Sequence, residues 1–239
     1  MPGVIGYIDV CSTREQLGTS GGETWCTWFL NPPRRTREPQ AYIVEYAAGR
    51  PLGLHYHDAD EFQVVLAGSG TMGQHELRPG VVHFARAYTG YGPIVAGPNG
   101  LSVMTLRAER DSSGPQFLPD KLDALRSVQY RRPWQAWSQA LFDEAAELVV
   151  ELSFSQTGAG PGFGGYLVIA PPRKKLNMPE CTEAKGHYAL LLEGSAFAEG
   201  REHQATAIEF APAGQVLQSW SAGNCGARVL LLRFPSAPD

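Results

Sequence analysis

The sequence predicts an all-β protein built from two jelly-roll barrels. Three observations support this prediction: a composition rich in turn-forming residues, short apolar runs of strand length, and an internal repeat. The 239 residues include 27 glycines and 18 prolines, whereas charged residues make up only 18% of the chain. Many turns and few charges are typical of domains made of short strands.

Apolar runs of strand length recur in both halves of the chain, and short turn segments separate them. No long helical periodicity lies between the runs, which favours an all-β sandwich or barrel. The predicted strands are Ala41–Tyr46, Phe62–Leu66, Val81–Phe84, Leu101–Leu106, Tyr166–Ile169, Tyr188–Leu192, Ala207–Phe210 and Val229–Phe234.

The two halves align without a gap at an offset of 126 residues. Gly68 then falls on Gly194, and Arg107 falls on Arg233. An internal duplication explains this match better than chance does. It predicts one barrel in each half of the chain.

A partly helical connector is expected between the barrels. Pro119 is followed at once by an acidic residue, as at a helix start, and residues 133–148 are expected to add another turn or two. The predicted domains are an N-terminal barrel over 1–112, a connector over 113–148 and a C-terminal barrel over 149–239.

One short segment carries candidate metal ligands. His55 and His57 are two residues apart, so on an extended strand both rings leave the same face. Asp58 to Asp60 have turn composition, and a chain that reverses there brings Glu61 beside the two rings. Two imidazoles and one carboxylate suit one divalent transition metal, namely Fe, Mn, Zn or Ni.

The full spacing extends this segment to Gly49 and Gly68. Glycine, five residues, His-x-His, three residues, glutamate, six residues and glycine resemble the first motif of the cupin superfamily. The chain as a whole therefore resembles a bicupin, a protein with two cupin barrels. In the second cupin motif a histidine normally supplies a fourth ligand, and here that position holds Tyr91.

This resemblance implies a metal-dependent enzyme. Many cupins are dioxygenases, so we expect a dioxygenase-like oxidoreductase that acts on a small organic acid or a phenolic compound. Two alternatives stay open. One is a non-catalytic bicupin that binds a small ligand or regulates, and the other is an isomerase, lyase or hydrolase that uses Zn, Mn or Ni as a Lewis acid.

Tyr91 and Gln63 are the candidate catalytic residues. Tyr91 is a packed barrel residue, an acid or base beside the metal, or a direct ligand. Gln63 shares the strand face of Glu61 and is expected to hydrogen-bond a substrate or a neighbour within the barrel. Arg86 and Tyr88 are predicted to bind substrate at the barrel mouth, although Arg86 could equally be an exposed rim residue.

Other positions are assigned by strand face and by the repeat. His83 aligns with Glu209, so both are expected to face outwards as polar residues. In the second copy, the places of the three ligands hold Cys181, Glu183 and His187. These residues form either a different metal site or a purely structural group.

Phe62, Val64 and their second-copy counterparts Tyr188 and Leu190 form apolar outer faces. They are expected to pack against each other or to form a homodimer interface.

Bulk properties exclude several classes of function. A net charge of −4 argues against nucleic-acid binding, and no apolar stretch approaches the roughly 20 residues that span a membrane. The four cysteines have no disulfide framework, and the N-terminus lacks the pattern of a leader. We therefore expect a cytoplasmic homo-oligomer, a dimer, whose partner is a small-molecule substrate or ligand.

Overall fold

The structure is a computed structural model that describes residues 4–6, 13–17, 24–33, 36–140, 148–156, 160–181 and 183–236. The chain divides into two compact units. Residues 13–138 form one unit, here called the N-terminal barrel. Residues 139–239, together with 1–12, form the other, here called the C-terminal barrel.

Almost every regular element in the described residues is a strand. Strand β1 (Val4–Gly6) belongs to the C-terminal barrel. The elements that follow, as far as β12, are β2 (Thr13–Leu17), β3 (Thr24–Leu30), β4 (Gln40–Tyr46), β5 (Pro51–Leu52), β6 (His55–Tyr56), β7 (Glu61–Met72), β8 (His75–Leu77), β9 (Val81–Ala85), β10 (Ile94–Arg107), β11 (Gln116–Phe117), α1 (Leu122–Ser127) and β12 (Gln135–Gln139). None of the described helices is long and apolar enough to cross a membrane.

In the N-terminal barrel, one sheet has the order β12-β9-β7-β10-β4-β3-β2. Strands β5 and β8 add to this sheet through β10 and β7, and β11 pairs with β6. The strand pairings described in this sheet are antiparallel, for example Phe62 with Phe84 and Leu106 with Ala41. The predicted all-β fold is confirmed.

The C-terminal barrel contains a sheet of order β1-β17-β15-β18-β14-β13, with β16 paired to β15. Its strands after β12 are β13 (Leu148–Glu151), β14 (Gly164–Ala170), β15 (Gly186–Ala198), β16 (Arg201–Gln204), β17 (Ile208–Pro212) and β18 (Ser221–Phe234). The N-terminal strand β1 joins this sheet because it pairs antiparallel with β17, Ile5 opposite Glu209.

The internal repeat is visible in the strand register. Strands β7 and β10 carry two irregularities: Leu66 is passed over between the pairs Val65–Val103 and Ala67–Ser102, and the register shifts again beyond Gly68. Strands β15 and β18 carry the same two irregularities at Leu192 and beyond Gly194. Each position differs from its counterpart by the 126-residue offset of the repeat, so the two copies share their bulges as well as their strands.

Strand faces follow the alternation that the sequence predicts. Phe62 and Phe84 contact each other on one face of the sheet, with ring centroids 4.8 Å apart. On the other face Val65 packs with Val103 and Tyr91 in the apolar core of the N-terminal barrel. Glu61 and Gln63 share this second face, so the barrel interior contains both an apolar core and a polar group of side chains.

The predicted connector differs from the structure. Its helix is confined to α1, and the expected extra turns from residue 133 are replaced by strand β12, which pairs with β9. Residues 141–147 of this prediction lie outside the described residues. The segment is a strand because it adds to a sheet edge, a tertiary interaction that local periodicity does not report.

Candidate metal centre

Two histidines enter the interior of the N-terminal barrel beside strand β6. The rings of His55 and His57 lie 5.2 Å apart between centroids and nearly perpendicular, and both residues are buried. Nδ1 of His55 lies 2.7 Å from the Gly53 carbonyl oxygen. Because a carbonyl can only accept, this Nδ1 carries the hydrogen, and Nε2 keeps its lone pair.

Asp111 orients the second histidine. Its Oδ2 lies 2.6 Å from Nδ1 of His57, and the pair is buried. Asp58 holds the loop that contains Asp111, because it accepts hydrogen bonds from the backbone N–H of Ser112 and the hydroxyl of Ser113. A carboxylate on Nδ1 is the usual partner of a metal-binding histidine.

Sequence reasoning missed Asp111, which lies 54 residues beyond His57. No motif spacing connects the two residues. The one available signal is that Asp111 follows Arg107 by four residues, and the two side chains are 3.6 Å apart.

Burial and neighbouring charges set the protonation states of His55 and Asp111. It lowers the pKa of His55 to about 4, and the neighbouring His57 acts in the same direction, so the His55 ring is neutral at pH 7. Burial alone would raise the pKa of Asp111, but the contact with His57 and the charge of Arg107 bring it below its usual range. Asp111 is therefore an ionised carboxylate.

Glu61 starts strand β7, is 1% exposed and is held by three donors. The Tyr91 hydroxyl donates to its Oε1, whereas Nε and Nη2 of Arg107 donate to its Oε2 at 3.1 and 2.7 Å. Burial would raise the pKa of Glu61, but the Arg107 charge lowers it overall. Glu61 and Arg107 thus form a buried ion pair. The remaining Nη1 of Arg107 donates to Oε1 of Gln40 at 2.7 Å.

Tyr91 lies between Glu61 and the amide of Gln63, whose Nε2 donates to the Tyr91 hydroxyl at 3.2 Å. The Gln63 oxygen in turn lies 2.9 Å from Nδ1 of His83. Burial and the charge of Glu61 raise the pKa of Tyr91 well above 10, so Tyr91 remains a phenol. A chain of hydrogen bonds therefore runs from His83 to Glu61.

The prediction that His83 faces outwards is wrong. His83 is 1% exposed and its ring stacks on Trp137, with centroids 4.2 Å apart. Its repeat counterpart Glu209 is buried as well, and accepts a hydrogen bond from Nε1 of Trp220 at 2.6 Å. Both polar residues are satisfied by interior partners, which alternation along a strand cannot reveal.

The structure brings together five of the predicted site residues: His55, His57, Glu61, Gln63 and Tyr91. It gives Arg86 and Tyr88 other contacts. The backbone N–H of Tyr88 donates to the His57 carbonyl at 2.7 Å, and that of Arg86 donates to the Trp134 carbonyl at 2.9 Å. Substrate binding by Arg86 and Tyr88 stays a prediction.

The residue types at this site suit a transition metal, but the positions of their side chains do not form a complete metal site. In the described residues, Nε2 of His55 and of His57 makes no hydrogen bond, and Oε1 of Glu61 keeps one lone pair beside its bond from Tyr91. Yet no three His, Cys, Asp or Glu side chains in the described part of the chain converge on a point that could hold an ion. Arg107 and Tyr91 hold Glu61 instead.

In the C-terminal barrel, the counterparts of the three ligands lie in different environments. Cys181 is buried, its thiol donates to the Pro179 carbonyl at 3.4 Å, and burial raises its pKa to about 11. Glu183 is exposed, whereas His187 is buried. Within the described residues these three side chains do not form a metal site.

Comparisons with known proteins agree on the fold. No family model matches the sequence, and no curated protein matches it. Among solved structures, a bacterial pirin from Escherichia coli in complex with nickel(II) matches with a TM-score of 0.59 and 12% identity, over 98% of this chain and 100% of that chain.

Two further structures match at similar levels. A variant of Bacillus subtilis oxalate decarboxylase has a TM-score of 0.61 at 11% identity, over 100% of this chain and 79% of that chain. A protein from Nostoc punctiforme, described as a candidate dioxygenase, has a TM-score of 0.60 at 12% identity, over 100% and 88% of the two chains. Identities this low show the fold alone, and that fold is the all-β, cupin-type jelly roll.

Proposed function

We propose that the N-terminal barrel binds one divalent transition metal, Fe, Mn, Zn or Ni, through His55, His57 and Glu61, and that the chain is a metal-dependent enzyme. A dioxygenase-like reaction on a small organic acid or a phenolic compound fits this site best. The ion would act on a small molecule that occupies its remaining coordination positions.

The histidine pair is the observation that supports this proposal. Two buried imidazoles have Nδ1 directed at acceptors that fix the ring orientation, and neither Nε2 is hydrogen-bonded to a described residue. In metal-binding histidines one ring nitrogen is held by such an acceptor, and the other ring nitrogen binds the ion. One protein with the same fold was solved in complex with nickel(II).

Tyr91 and Glu61 are proposed to transfer protons beside the ion. Tyr91 is a phenol whose proton is held by Oε1 of Glu61, and Gln63 fixes the position of the phenol oxygen. A proton from a bound substrate could pass to the phenol oxygen of Tyr91 while the phenol proton passes to the ionised Glu61, so that Tyr91 stays a phenol and Glu61 becomes protonated.

Metal content of the purified protein tests the proposal. We expect about one equivalent of divalent metal after loading, and we expect His57→Ala to lose it while far-UV circular dichroism shows an intact β-fold. His75→Ala is the matched control, because His75 is an exposed histidine of the same barrel. Equal metal content in both variants would refute the site.

The Glu61–Arg107 ion pair favours a second function, binding of a small ligand without turnover. A carboxylate already neutralised by arginine is a weak metal ligand, and both oxygens of Glu61 already accept hydrogen bonds. Oxygen consumption by metal-loaded protein with candidate acids separates the two: turnover supports the enzyme, and retention of an unchanged acid supports the binder.

Assembly as a homodimer stays a prediction, and light scattering would measure it.

A further inference from the structure

The C-terminal barrel contains an arginine at the position of Arg107. Arg233 follows Arg107 by the repeat offset, and both are the penultimate or last residues of their long strands, β18 and β10. In the N-terminal barrel, Arg107 donates to Glu61 and Gln40 and lies near Asp111. All sides of that guanidinium are therefore supplied with acceptors.

The corresponding carboxylate is missing beside Arg233. His187 replaces Glu61 in the repeat, and His187 and Arg233 are direct partners in the pairing of β15 with β18. Side chains of directly opposed residues project from the same face of a sheet. The guanidinium of Arg233 thus meets an imidazole where Arg107 meets an anion.

Other contacts of Arg233 do not replace that anion. Its guanidinium lies over the Tyr166 ring at 4.9 Å, and a carboxylate oxygen, Oε1 of Glu151, is 3.8 Å from Nη2. The Glu151 side chain is 66% exposed, so this pair is long and solvated. Nε of Arg233 is buried and has no hydrogen-bond partner among the residues that the structure describes.

His187 has the same deficiency. The residue is 2% exposed, and within the described part of the chain its buried Nδ1 has no hydrogen-bond partner. Two buried nitrogens on directly opposed residues are thus both unsatisfied, although nearly all such groups in folded proteins have a partner. Both can donate, and one of them belongs to a permanent cation, so an anion satisfies both.

We propose that His187 and Arg233 form a binding site for a small carboxylate anion, of the size of formate or acetate, in the C-terminal barrel. The bound carboxylate supplies Arg233 with the negative charge that Glu61 supplies to Arg107. Cys181 and Leu231 form an apolar wall next to the site, with Tyr166 and Leu217 packed against them. Such a wall admits a small organic anion better than a strongly hydrated inorganic one.

Acetate is the probe for the test. In wild-type protein labelled with nitrogen-15, we expect sodium acetate to shift the imidazole resonances of His187, whereas sodium chloride at the same ionic strength does not. This measurement needs no variant, so it does not depend on the folding of one. Unchanged His187 resonances, or equal shifts with acetate and chloride, would overturn the proposal.

Variants then assign the donors. Arg233→Met should weaken acetate binding by at least about tenfold, because a charge-assisted hydrogen bond is lost. Arg228→Met is the matched control: Arg228 lies on the same strand but is paired with Glu193 at 2.8 Å, so its loss should leave acetate binding unchanged.

His187→Glu supplies the missing carboxylate from the chain itself. The Glu61–Arg107 pair shows that this combination is compatible with the fold. We expect the variant to remain folded and to lose acetate binding, because an internal carboxylate then occupies the site. Acetate binding as tight as in the wild type would overturn the proposal.

Discussion

At the residue scale, the Tyr91 hydroxyl connects the polar groups of the N-terminal barrel. It donates to Glu61 and accepts from Gln63, and all three residues are buried. Tyr91→Phe would leave a buried carboxylate oxygen and an amide N–H without this partner. We expect a loss of about 1–3 kcal/mol in the free energy of unfolding, measured by urea titration.

Tyr130→Phe is the control, because Tyr130 is 95% exposed. Its free energy of unfolding should stay within about 0.5 kcal/mol of the wild type. If Tyr91 also moves a proton in catalysis, turnover of Tyr91→Phe should fall by about 10²- to 10⁴-fold. A variant as stable and as active as the wild type would contradict both roles.

His83 makes the stability of the protein depend on pH. Burial lowers its pKa to about 4 from the ordinary 6.5. The unfolded chain therefore takes up a proton at higher pH than the folded chain does. This contribution to stability is fully present above pH 6.5 and is lost as the pH falls from 6.5 towards 4, and it amounts to at most about 3 kcal/mol.

We expect His83→Gln to remove that part of the pH dependence. Urea unfolding at pH 7.5 and pH 4.5 should show a smaller loss of stability on acidification for the variant than for the wild type. Parallel pH profiles for His83→Gln and the wild type would show that His83 is not the titrating group.

The sequence predicted the site residues unevenly for a physical reason. His55, His57 and Glu61 follow one another in a short hairpin, so local geometry places them together. Asp111 and the buried position of His83 depend on contacts across the barrel with residues far away in the chain. Arg107 appeared in the repeat only as a shared position, and its pairing with Glu61 required the register of β7 and β10.

At the element scale, the two glycines of the motif have different roles. A Cβ on Gly68 would lie 2.2 Å from the Gly100 carbonyl oxygen, and the residue has a φ of +76°. Gly49 has a similar φ of +69° but nothing within 4 Å of such a Cβ. Gly68 is therefore required by close backbone approach at the second register irregularity, whereas Gly49 is favoured only by its backbone conformation.

This difference predicts different costs of substitution. Gly49→Ala should lose about 1 kcal/mol of unfolding free energy, the usual cost of a left-handed conformation without a clash. Gly68→Ala should lose distinctly more, by about 2 kcal/mol or above, because the backbone of β10 has to move. Chemical denaturation of both variants measures the difference in unfolding free energy. Equal losses would mean that β7 and β10 can move apart at no cost in free energy.

The elements themselves were predictable where local signals decide them. Every predicted strand is present, because alternation and turn residues mark strands in this chain. β12 was missed because its segment is a strand only through its pairing with β9. The predicted strands were too short for β7 and β10. Both strands continue through glycines that the sequence suggested as turns.

At the scale of the whole molecule, metal binding should be visible as thermal stability. An ion that binds only the folded state at about 100 times its Kd adds about 2.7 kcal/mol. For a protein of this size, that gain raises the midpoint of thermal unfolding by roughly 5–10 °C. Calorimetry of chelator-treated and metal-loaded protein measures the shift.

His57→Ala should show no such shift with metal, whereas His75→Ala should show the full one. A shift of equal size in both variants would place the stabilising ion elsewhere on the molecule.

The duplication itself could be predicted from sequence, since the offset of the aligned residues is the offset of the aligned bulges. The loss of the ligand set in the second copy was also predictable, but its unsatisfied arginine required the structure.

The extra residues Leu66 and Leu192 separate each long strand into two stretches whose pleats are out of phase. Removing Leu66 alone would bring the stretches into phase and turn either Glu61 and Gln63 or the segment around Gly68 to the opposite side of the sheet. A single-codon deletion in this strand would therefore be far more damaging than most substitutions. Leu66 and Leu192 are therefore required as extra positions in their strands, because each keeps the two stretches of its strand on the correct faces of the sheet.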